Sequence, residues 1–289
     1  MKWKNLERSS NTRDRRGQGA KVAGGVGGLG IIGVLLMMFL GNLGGGGGGT
    51  GTGDLGGLSD LLNGGQAPAQ QAPPPQNDED FQFFSAVLGT TETVWGDIFA
   101  NSGLTYEPAT LVLFSGSTPS GCGGATSAIG PHYCPNDRTI YLDTDFFDEL
   151  RSRFGAQGGD FAEAYVLAHE VAHHVQNELG TMEEVQRLEQ QNPGDANDLS
   201  VRTELQADCY AGVWAFSIYQ REDVLEPGDI EEALDAAAAV GDDRIQQAAT
   251  GRVNPESFTH GSAAQRVEWF NRGFESGSPA RCDTFSTNP

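Results

Sequence analysis

The chain has 289 residues and a formal net charge of −21, with 39 acidic against 18 basic side chains. All three lysines lie in the first 21 residues, and beyond that point 11 arginines stand against 37 acidic residues, a net charge of about −26. Such an acidic surface repels nucleic acid and anionic lipid. The composition therefore argues against a polyanion-binding protein and predicts no nucleic-acid partner.

The N-terminal part of the chain predicts a single membrane span. Residues 1–21 are basic, and residues 22–43 are uncharged, mostly apolar and long enough for the roughly 20 residues that a spanning helix needs. Basic residues before the span and acidic residues after it predict a cytoplasmic N-terminus and an outward-facing remainder. A cleaved signal peptide is the rival interpretation, and an apolar Gly-rich soluble segment is the weaker one.

The chain is expected to divide into four parts. These are a basic cytoplasmic tail (1–21), a transmembrane anchor in the cell membrane (22–43), a linker (44–80) and one folded domain (81–289). The linker carries a run of six glycines followed by Gln, Ala and Pro, a composition that cannot bury enough apolar surface to fold alone. We therefore expect a flexible tether between the anchor and the domain.

Within the folded part, periodicity predicts mostly helices. The predicted elements, in chain order, are a helix at 80–102, a strand at 110–115, a Gly-rich loop at 122–134, a strand at 139–143, and helices from about 145, at 160–179, 197–219, 229–239 and 262–274. This order indicates an α+β fold, mainly helical, with a small antiparallel sheet that precedes the helix at 160–179.

The four cysteines fit an exported domain. Cys122 and Cys134 bracket the short Gly-rich loop, which leaves Cys209 and Cys282 for each other. An oxidising compartment permits both disulfides, and closing the short loop contributes on the order of 3 kcal/mol. A second metal site is the competing interpretation, but the sequence has no Cys-x-x-Cys spacing. A redox protein built on the cysteines is disfavoured by the apparent export.

The helix at 160–179 carries the most informative motif, His169-Glu170-Val-Ala-His173. Residues four apart lie on one helical face, so both imidazoles can bind one ion, and zinc accepts neutral imidazole nitrogens. Glu170 lies beside that face, where a general base belongs. The competing interpretation is a pair of hydrogen-bonded core histidines. His174 lies about 140° around the helix from His169 and is expected to be a hydrogen-bonded structural histidine.

The helix at 197–219 offers a third ligand, because Glu204 and Asp208 are again four residues apart. One carboxylate would complete the metal site, and the other would accept the free ring N–H of a ligating histidine. The alternative is that both are solvated acids on an exposed face. Apolar residues around them predict a helix buried on more than one side, which favours the ligand interpretation.

Three stretches together resemble the bacterial neutral zinc metallopeptidases, a family similar to the thermolysin-like gluzincins. They are His169-Glu-Val-Ala-His-His-Val-Gln176, Glu204-Leu-Gln-Ala-Asp-Cys-Tyr-Ala-Gly212 and Thr259-His-Gly-Ser-Ala-Ala-Gln-Arg266. The resemblance implies a zincin-like domain in which His169, His173 and Glu204 bind one Zn²⁺ and Glu170 is the base. Asp208 would then orient His169.

The resemblance also implies substrate contacts. Peptidases commonly add an extended substrate to a sheet edge, and the resemblance suggests such an edge at Ala128-Ile129-Gly130. An ordinary disulfide-linked loop is the alternative for these three residues.

His260 is the candidate donor to the oxyanion that forms during peptide hydrolysis. Its spacing from Arg266 is similar to a His-Pro-containing motif of HtpX-like membrane metallopeptidases, although Gly261 replaces the proline here. Arg266 is expected to pair with an acid or to bind a substrate carboxylate. The alternative is a structural role, in which a helix-capping histidine lies beside a surface arginine.

These features predict a membrane-anchored zinc endopeptidase that acts on peptides or proteins. The alternative of a different class is a catalytically silent zinc-binding envelope protein, acting as a scaffold or chaperone. Glu170 argues against it, because a purely structural zinc site needs no base.

Overall fold

The computed structural model describes residues 1–17, 78–222 and 224–286. The predicted anchor at 22–43 and nearly all of the predicted linker lie outside these ranges. Within them, no helix has both the length and the apolar character needed to cross a bilayer.

The described residues are mainly helical, as predicted. In chain order the α-helices are α1 (Glu79–Asn101), α2 (Phe146–Ser152), α3 (Asp160–Glu178), α4 (Thr181–Gln191), α5 (Ala196–Glu222), α6 (Asp229–Ala239), α7 (Asp242–Thr250) and α8 (Ala263–Ser276). The predicted helices match α1, α2, α3, α5, α6 and α8 closely. Helices α4 and α7 were not predicted, and α7 proves important for the site.

The strands form one mixed sheet and a separate hairpin. They are β1 (Thr12–Asp14), β2 (Thr110–Phe114), β3 (Ser117–Ser120), β4 (Gly123–Thr126), β5 (His132–Cys134) and β6 (Thr139–Asp143). The sheet order is β1-β2-β6-β5, with β1, β2 and β6 parallel and β5 antiparallel to β6. The prediction of a small antiparallel sheet is therefore wrong for the main sheet. The connection through β3, β4 and β5 is long enough for β6 to run parallel to β2.

Residues 1–17, which we call the N-terminal strap, pack against the domain. Strand β1 pairs with Leu111–Leu113 of β2, and the buried Trp3 ring meets the Phe83 ring edge-on at 5.4 Å. The prediction of a separate tail at 1–21 is therefore wrong for residues 1–17. The physical reason is that the basic strap complements an acidic domain: the buried Arg16 pairs with Asp78 and Asp80 of the domain as well as with Asp14 of the strap.

Ala128-Ile129-Gly130 do not form the expected extended edge. Residues Ser127–Ile129 make a single 3₁₀ turn, and Gly130 follows with a φ of 77°, which only glycine adopts readily. Strand β5 begins just beyond this turn and occupies the edge of the main sheet. The edge strand nearest to these three residues is therefore β5, which begins two residues beyond Gly130.

Helices α5 and α8, which both carry residues of the site, pack closely against each other. A Cβ atom on Gly212 would lie 2.1 Å from the carbonyl oxygen of Phe270, and one on Gly273 would lie 1.9 Å from that of Cys209. Only glycine lets the two backbones approach this closely. Both predicted disulfides are confirmed, and Cys209–Cys282 joins α5 to the segment after α8.

Candidate metal centre

Helix α3 presents its two motif histidines to α5, one turn apart. Their ring centroids lie 4.8 Å apart, and both rings are buried. Glu204 on α5 faces them, with Oε2 at 3.1 Å from Nε2 of His169 and Oε1 at 3.4 Å from Nε2 of His173. The structure therefore brings together the three predicted ligands, two from α3 and one from α5.

The donor set fits a zinc ion. One ligand atom from each of His169, His173 and Glu204 lies within 4.8 Å of the others. Two imidazole nitrogens and one carboxylate oxygen form the three-ligand arrangement of catalytic zinc sites, which keep a fourth position open. Burial alone would raise the pKa of Glu204, but the two histidines, with a smaller contribution from His260, lower it well below its usual range. This carboxylate is therefore ionised, as a metal ligand must be.

Asp208, one turn beyond Glu204, fixes the ring of His169. Its Oδ1 lies 2.9 Å from Nδ1 of His169, which leaves Nε2 to face the metal position. The Arg266 guanidinium donates to both carboxylate oxygens, at 2.8 and 2.9 Å, and Tyr165 donates its hydroxyl proton to Oδ1. Burial would raise the pKa of Asp208, but Arg266 and His169 outweigh burial and hold it at about 2. The predicted orienting role of Asp208 is consistent with these contacts.

Gln176 does for His173 what Asp208 does for His169. Its Oε1 accepts from Nδ1 of His173 at 2.8 Å, which again leaves Nε2 for the metal. The amide nitrogen of Gln176 donates to the Thr203 carbonyl and to Oε1 of Gln206. Gln206 in turn donates to the carbonyl of Cys282. A continuous chain of hydrogen bonds therefore runs from one histidine to the Cys209–Cys282 disulfide.

Glu170, the predicted base, is buried and keeps one carboxylate oxygen without a partner in the described part of the chain. Its side chain is 2% exposed, and among the described residues its Oε2 is one of four buried side-chain atoms without a hydrogen-bond partner. An unpartnered buried carboxylate oxygen costs folding free energy, on the order of 1–3 kcal/mol or more. Such an atom is expected where a substrate or a water molecule supplies the missing partner.

His260 lies in the loop before α8, held by a residue that the sequence did not single out. Asp242, the first residue of α7, is fully buried, and its Oδ2 accepts from the main-chain nitrogens of Thr259, His260 and Gly261 at 2.7, 2.7 and 3.1 Å. Its Oδ1 lies 3.3 Å from Nδ1 of His260. Asp242 therefore fixes the loop, and the ring is held by Asp242 together with the Thr259 hydroxyl, which lies 2.9 Å from Nδ1.

The loop around His260 differs from the motif that it resembles. Gly261 has a φ of 88°, a conformation closed to proline. The helix cap is Ser262, whose hydroxyl and main-chain nitrogen exchange hydrogen bonds with Gln265. His260 is thus neither the helix cap nor part of a His-Pro turn.

Arg266 and His174 occupy different environments. Arg266 is buried and pairs with Asp208, as expected for an arginine that pairs with an acid, but its Nη1 is another of the unpartnered atoms within the described ranges. His174 is confirmed as a structural histidine, with Nε2 at 2.6 Å from the carbonyl of Glu107 and Nδ1 at 3.0 Å from the hydroxyl of Tyr133.

Sequence reasoning missed Asp242, Gln206 and the role of Gln176. Gln176 ends the first of the three stretches that carry the family resemblance, three residues beyond His173, so its role could have been found from spacing. Asp242 gave no comparable signal, because it acts on a loop 17 to 19 residues further along the chain.

Replacing Gln176 tests the hydrogen-bonded chain. We expect Gln176→Leu to weaken zinc binding about 10- to 100-fold, because Nδ1 of His173 loses its acceptor and the ring its fixed orientation. Gln186→Leu, at an exposed position of α4, is the matched control and should bind zinc normally. Competition with a zinc chelator measures both affinities. Equal affinities would show that Gln176 does not position His173.

Comparison with known proteins agrees with this centre. A family model described as "putative neutral zinc metallopeptidase" matches residues 1–285, a range that includes the N-terminal strap. The uncharacterized protein YpfJ of Escherichia coli is 51% identical over 232 residues, which cover 79% of this chain and 80% of the relative. The uncharacterized proteins Mb2605 of Mycobacterium bovis and Rv2575 of Mycobacterium tuberculosis are each 52% identical over 210 residues, covering 70% of this chain and 69% of each relative.

No solved structure matches the chain. The family model spans nearly the whole sequence, and the similar proteins share about half of their aligned residues with it. The description names a zinc metallopeptidase, and His169, His173 and Glu204 form a group that could hold a metal ion. The chain belongs to the neutral zinc metallopeptidase family.

Proposed function

We propose that the protein is a zinc-dependent endopeptidase that cleaves peptide bonds by general-base attack of water. The observation that carries this proposal is the buried Oε2 of Glu170, which has no partner among the described residues. Glu170 also lines the same cleft as His169 of the His169–His173–Glu204 cluster. A silent zinc scaffold would have no use for that carboxylate and would still carry the cost of burying it.

The chain's own residues divide the chemistry between them. His169, His173 and Glu204 would hold the zinc ion, which when bound supplies a Lewis acid for the scissile carbonyl. Glu170 takes the proton from the attacking water and later delivers it to the leaving amine, as a general base and then a general acid. Asp208 and Gln176 keep both histidines in the tautomer that presents Nε2.

His260 is proposed as the donor to the developing oxyanion. It contributes to lowering the pKa of Glu204, which supports a position close to the metal ligands. The Thr259 hydroxyl lies 2.9 Å from Nδ1 and can donate to it, which leaves the ring proton on Nε2, the nitrogen that would donate to the substrate. A donor fixed before the reaction stabilises the oxyanion without the energetic cost of reorganisation.

The cleft beside Glu170 supports an apolar substrate side chain next to the scissile bond. It is a small cleft, with about 30 Å³ of space for a water-sized sphere, and its apolar walls carry the argument: it is lined by Pro131, Phe146, Val166 and Val240 together with Tyr165, His169, Glu170 and Arg266. The unpartnered Nη1 of Arg266 is a donor for a substrate carbonyl or carboxylate at the same wall. An apolar residue with its carbonyl directed to Arg266 satisfies both features.

Strand β5 is the proposed binding edge for the substrate main chain. It lies at the end of the sheet, and Pro131, the residue before it, lines the cleft. A peptide that pairs with this edge would therefore pass the catalytic side chains, as in other cases of strand addition. Ala128, Ile129 and Gly130 would then border the peptide from the 3₁₀ turn.

Attachment to the cell membrane through residues 22–43 stays a prediction, as does the absence of a nucleic-acid partner.

The proposal is tested with a peptide library and three variants of the full chain. The wild type should cleave the library in the presence of zinc but not with excess chelator, and the sequenced products should show an apolar residue beside the cleaved bond. Glu170→Gln should keep one zinc per chain and lose cleavage, because an amide is not basic. Glu204→Ala should lose zinc affinity. Glu183→Gln, exposed on α4, is the control and should behave as the wild type.

Two outcomes would contradict the assignments. Full activity in zinc-loaded Glu170→Gln would exclude Glu170 as the base. Full zinc occupancy and cleavage in Glu204→Ala would mean that the third ligand is another residue. A wild type that binds zinc and cleaves nothing would favour the scaffold alternative.

The oxyanion assignment has its own test. We expect His260→Ala to keep its zinc and its fold and to lose about 100-fold or more in kcat, with a smaller change in KM, because one donor to the oxyanion is removed. Glu256→Ala, at an exposed position of the same connecting segment, is the control. Steady-state kinetics on zinc-quantified protein separate the two variants. Near-normal turnover in His260→Ala would remove His260 from the catalytic residues.

A further inference from the structure

The N-terminal strap is joined to the domain by main-chain hydrogen bonds along its length. The nitrogen of Lys2 donates to the carbonyl of Val224 at 2.8 Å, and that of Ser9 donates to Ser85 at 2.9 Å. Around β1, Leu111 donates to Asn11 at 3.0 Å and Arg15 donates to Leu113 at 2.8 Å. These bonds connect the strap to α1, to β2 and to the segment before α6. The strap is thus an integral strand and loop of the fold.

Arg15 and Arg16 of the strap are engaged with the domain. Arg16 is 5% exposed and contacts Asp14, Asp78 and Asp80 at 2.7, 2.9 and 3.3 Å. Arg15 donates to the hydroxyl of Thr118 on β3. Residues 1–17 hold six basic and two acidic side chains, which explains their attraction to the acidic domain. The positive charges that resemble a membrane-orientation signal therefore have a structural use.

Helix α1 and the strap approach each other at one glycine. A Cβ atom at Gly89 would lie 2.6 Å from the main-chain oxygen of Glu7 and 3.2 Å from the nitrogen of Ser9. Gly96, two turns along the same helix, has no atom within 4 Å of the corresponding position. The domain surface is shaped to admit the strap at Gly89.

We propose that the strap and residues 78–286 lie on the same side of the membrane, as one folded unit. Main-chain pairing between β1 and β2 requires both strands in one aqueous compartment, because neither can extend across a bilayer with its backbone groups unpaired. A single crossing by residues 22–43 would separate them. The topology with a cytoplasmic tail and an outward catalytic domain is therefore replaced by one in which both flanks of the intervening chain share a compartment. This proposal does not depend on the peptidase activity.

Cysteine labelling of the full chain in cells tests the shared compartment. Arg13→Cys places a thiol on an exposed position of β1, and Gln190→Cys places one on the exposed face of α4. Both variants are first shown to react with a membrane-impermeant maleimide in detergent-solubilised protein. They are then labelled in intact and in permeabilised cells, with the wild type as background.

We expect the two positions to behave alike, reacting either both in intact cells or both only after permeabilisation. Either result supports the proposal and also identifies the compartment. Reaction at one position in intact cells, with the other reacting only after permeabilisation, would overturn it.

A second measurement, the melting temperature of purified protein, tests the packing of the strap without reference to a membrane. In the purified full chain, Gly89→Ala should lower Tm by about 5 °C or more, because its Cβ displaces the strap backbone. Gly96→Ala should not lower Tm, because the space there is open and alanine favours the helix. Equal Tm values for the two variants would show that the strap does not pack against α1 at Gly89.

Discussion

The buried carboxylate of Asp208 is the interaction on which the rest of the site depends. It binds His169 from α3 and Arg266 from α8, and it also accepts the hydroxyl of Tyr165. Ionised Asp208 is tolerable in the interior only because Arg266 neutralises it and all three donors satisfy it. Removing any one of these partners would leave a buried charge partly unpaired. One carboxylate thus fixes the relative positions of the three helices that form the centre.

The same centre needs close backbone contact between α5 and α8. Gly212 and Gly273 allow the two helices to approach closely enough for Arg266 to reach Asp208 with both of its donating nitrogens. On the other side of the metal position, Gln176 and Gln206 carry the orientation of His173 to the disulfide-linked segment. The two histidines are therefore held by separate networks, one charged and one neutral. A change in one network need not disturb the other.

The sequence predicted the local parts of this arrangement well and the long-range parts poorly. Residues four apart on one helix must share a face, so the pair His169 and His173 followed from spacing alone, and the family resemblance added Glu204. Asp242 reaches its loop through tertiary packing, which leaves no periodic signal. The strap was misassigned because its basic residues precede an apolar segment, a pattern that charge statistics associate with membrane orientation. Its partners, such as Asp78, lie some 60 residues away in sequence.

The proposed catalytic centre differs from another acidic cluster in whether its polar atoms have hydrogen-bond partners. Asp160, Asp229 and Glu232 also lie close enough to hold a cation. However, Asp229 accepts from the main-chain nitrogen of Glu226, Glu232 accepts from that of Phe161, and the amino group of Met1 contacts both aspartates. These carboxylates already have partners, and only Asp229 among them is buried. Glu170 and Arg266 differ because each keeps an unpartnered atom among the described residues and both line one cleft. The proposed substrate would supply the partners that these two atoms lack within the described ranges.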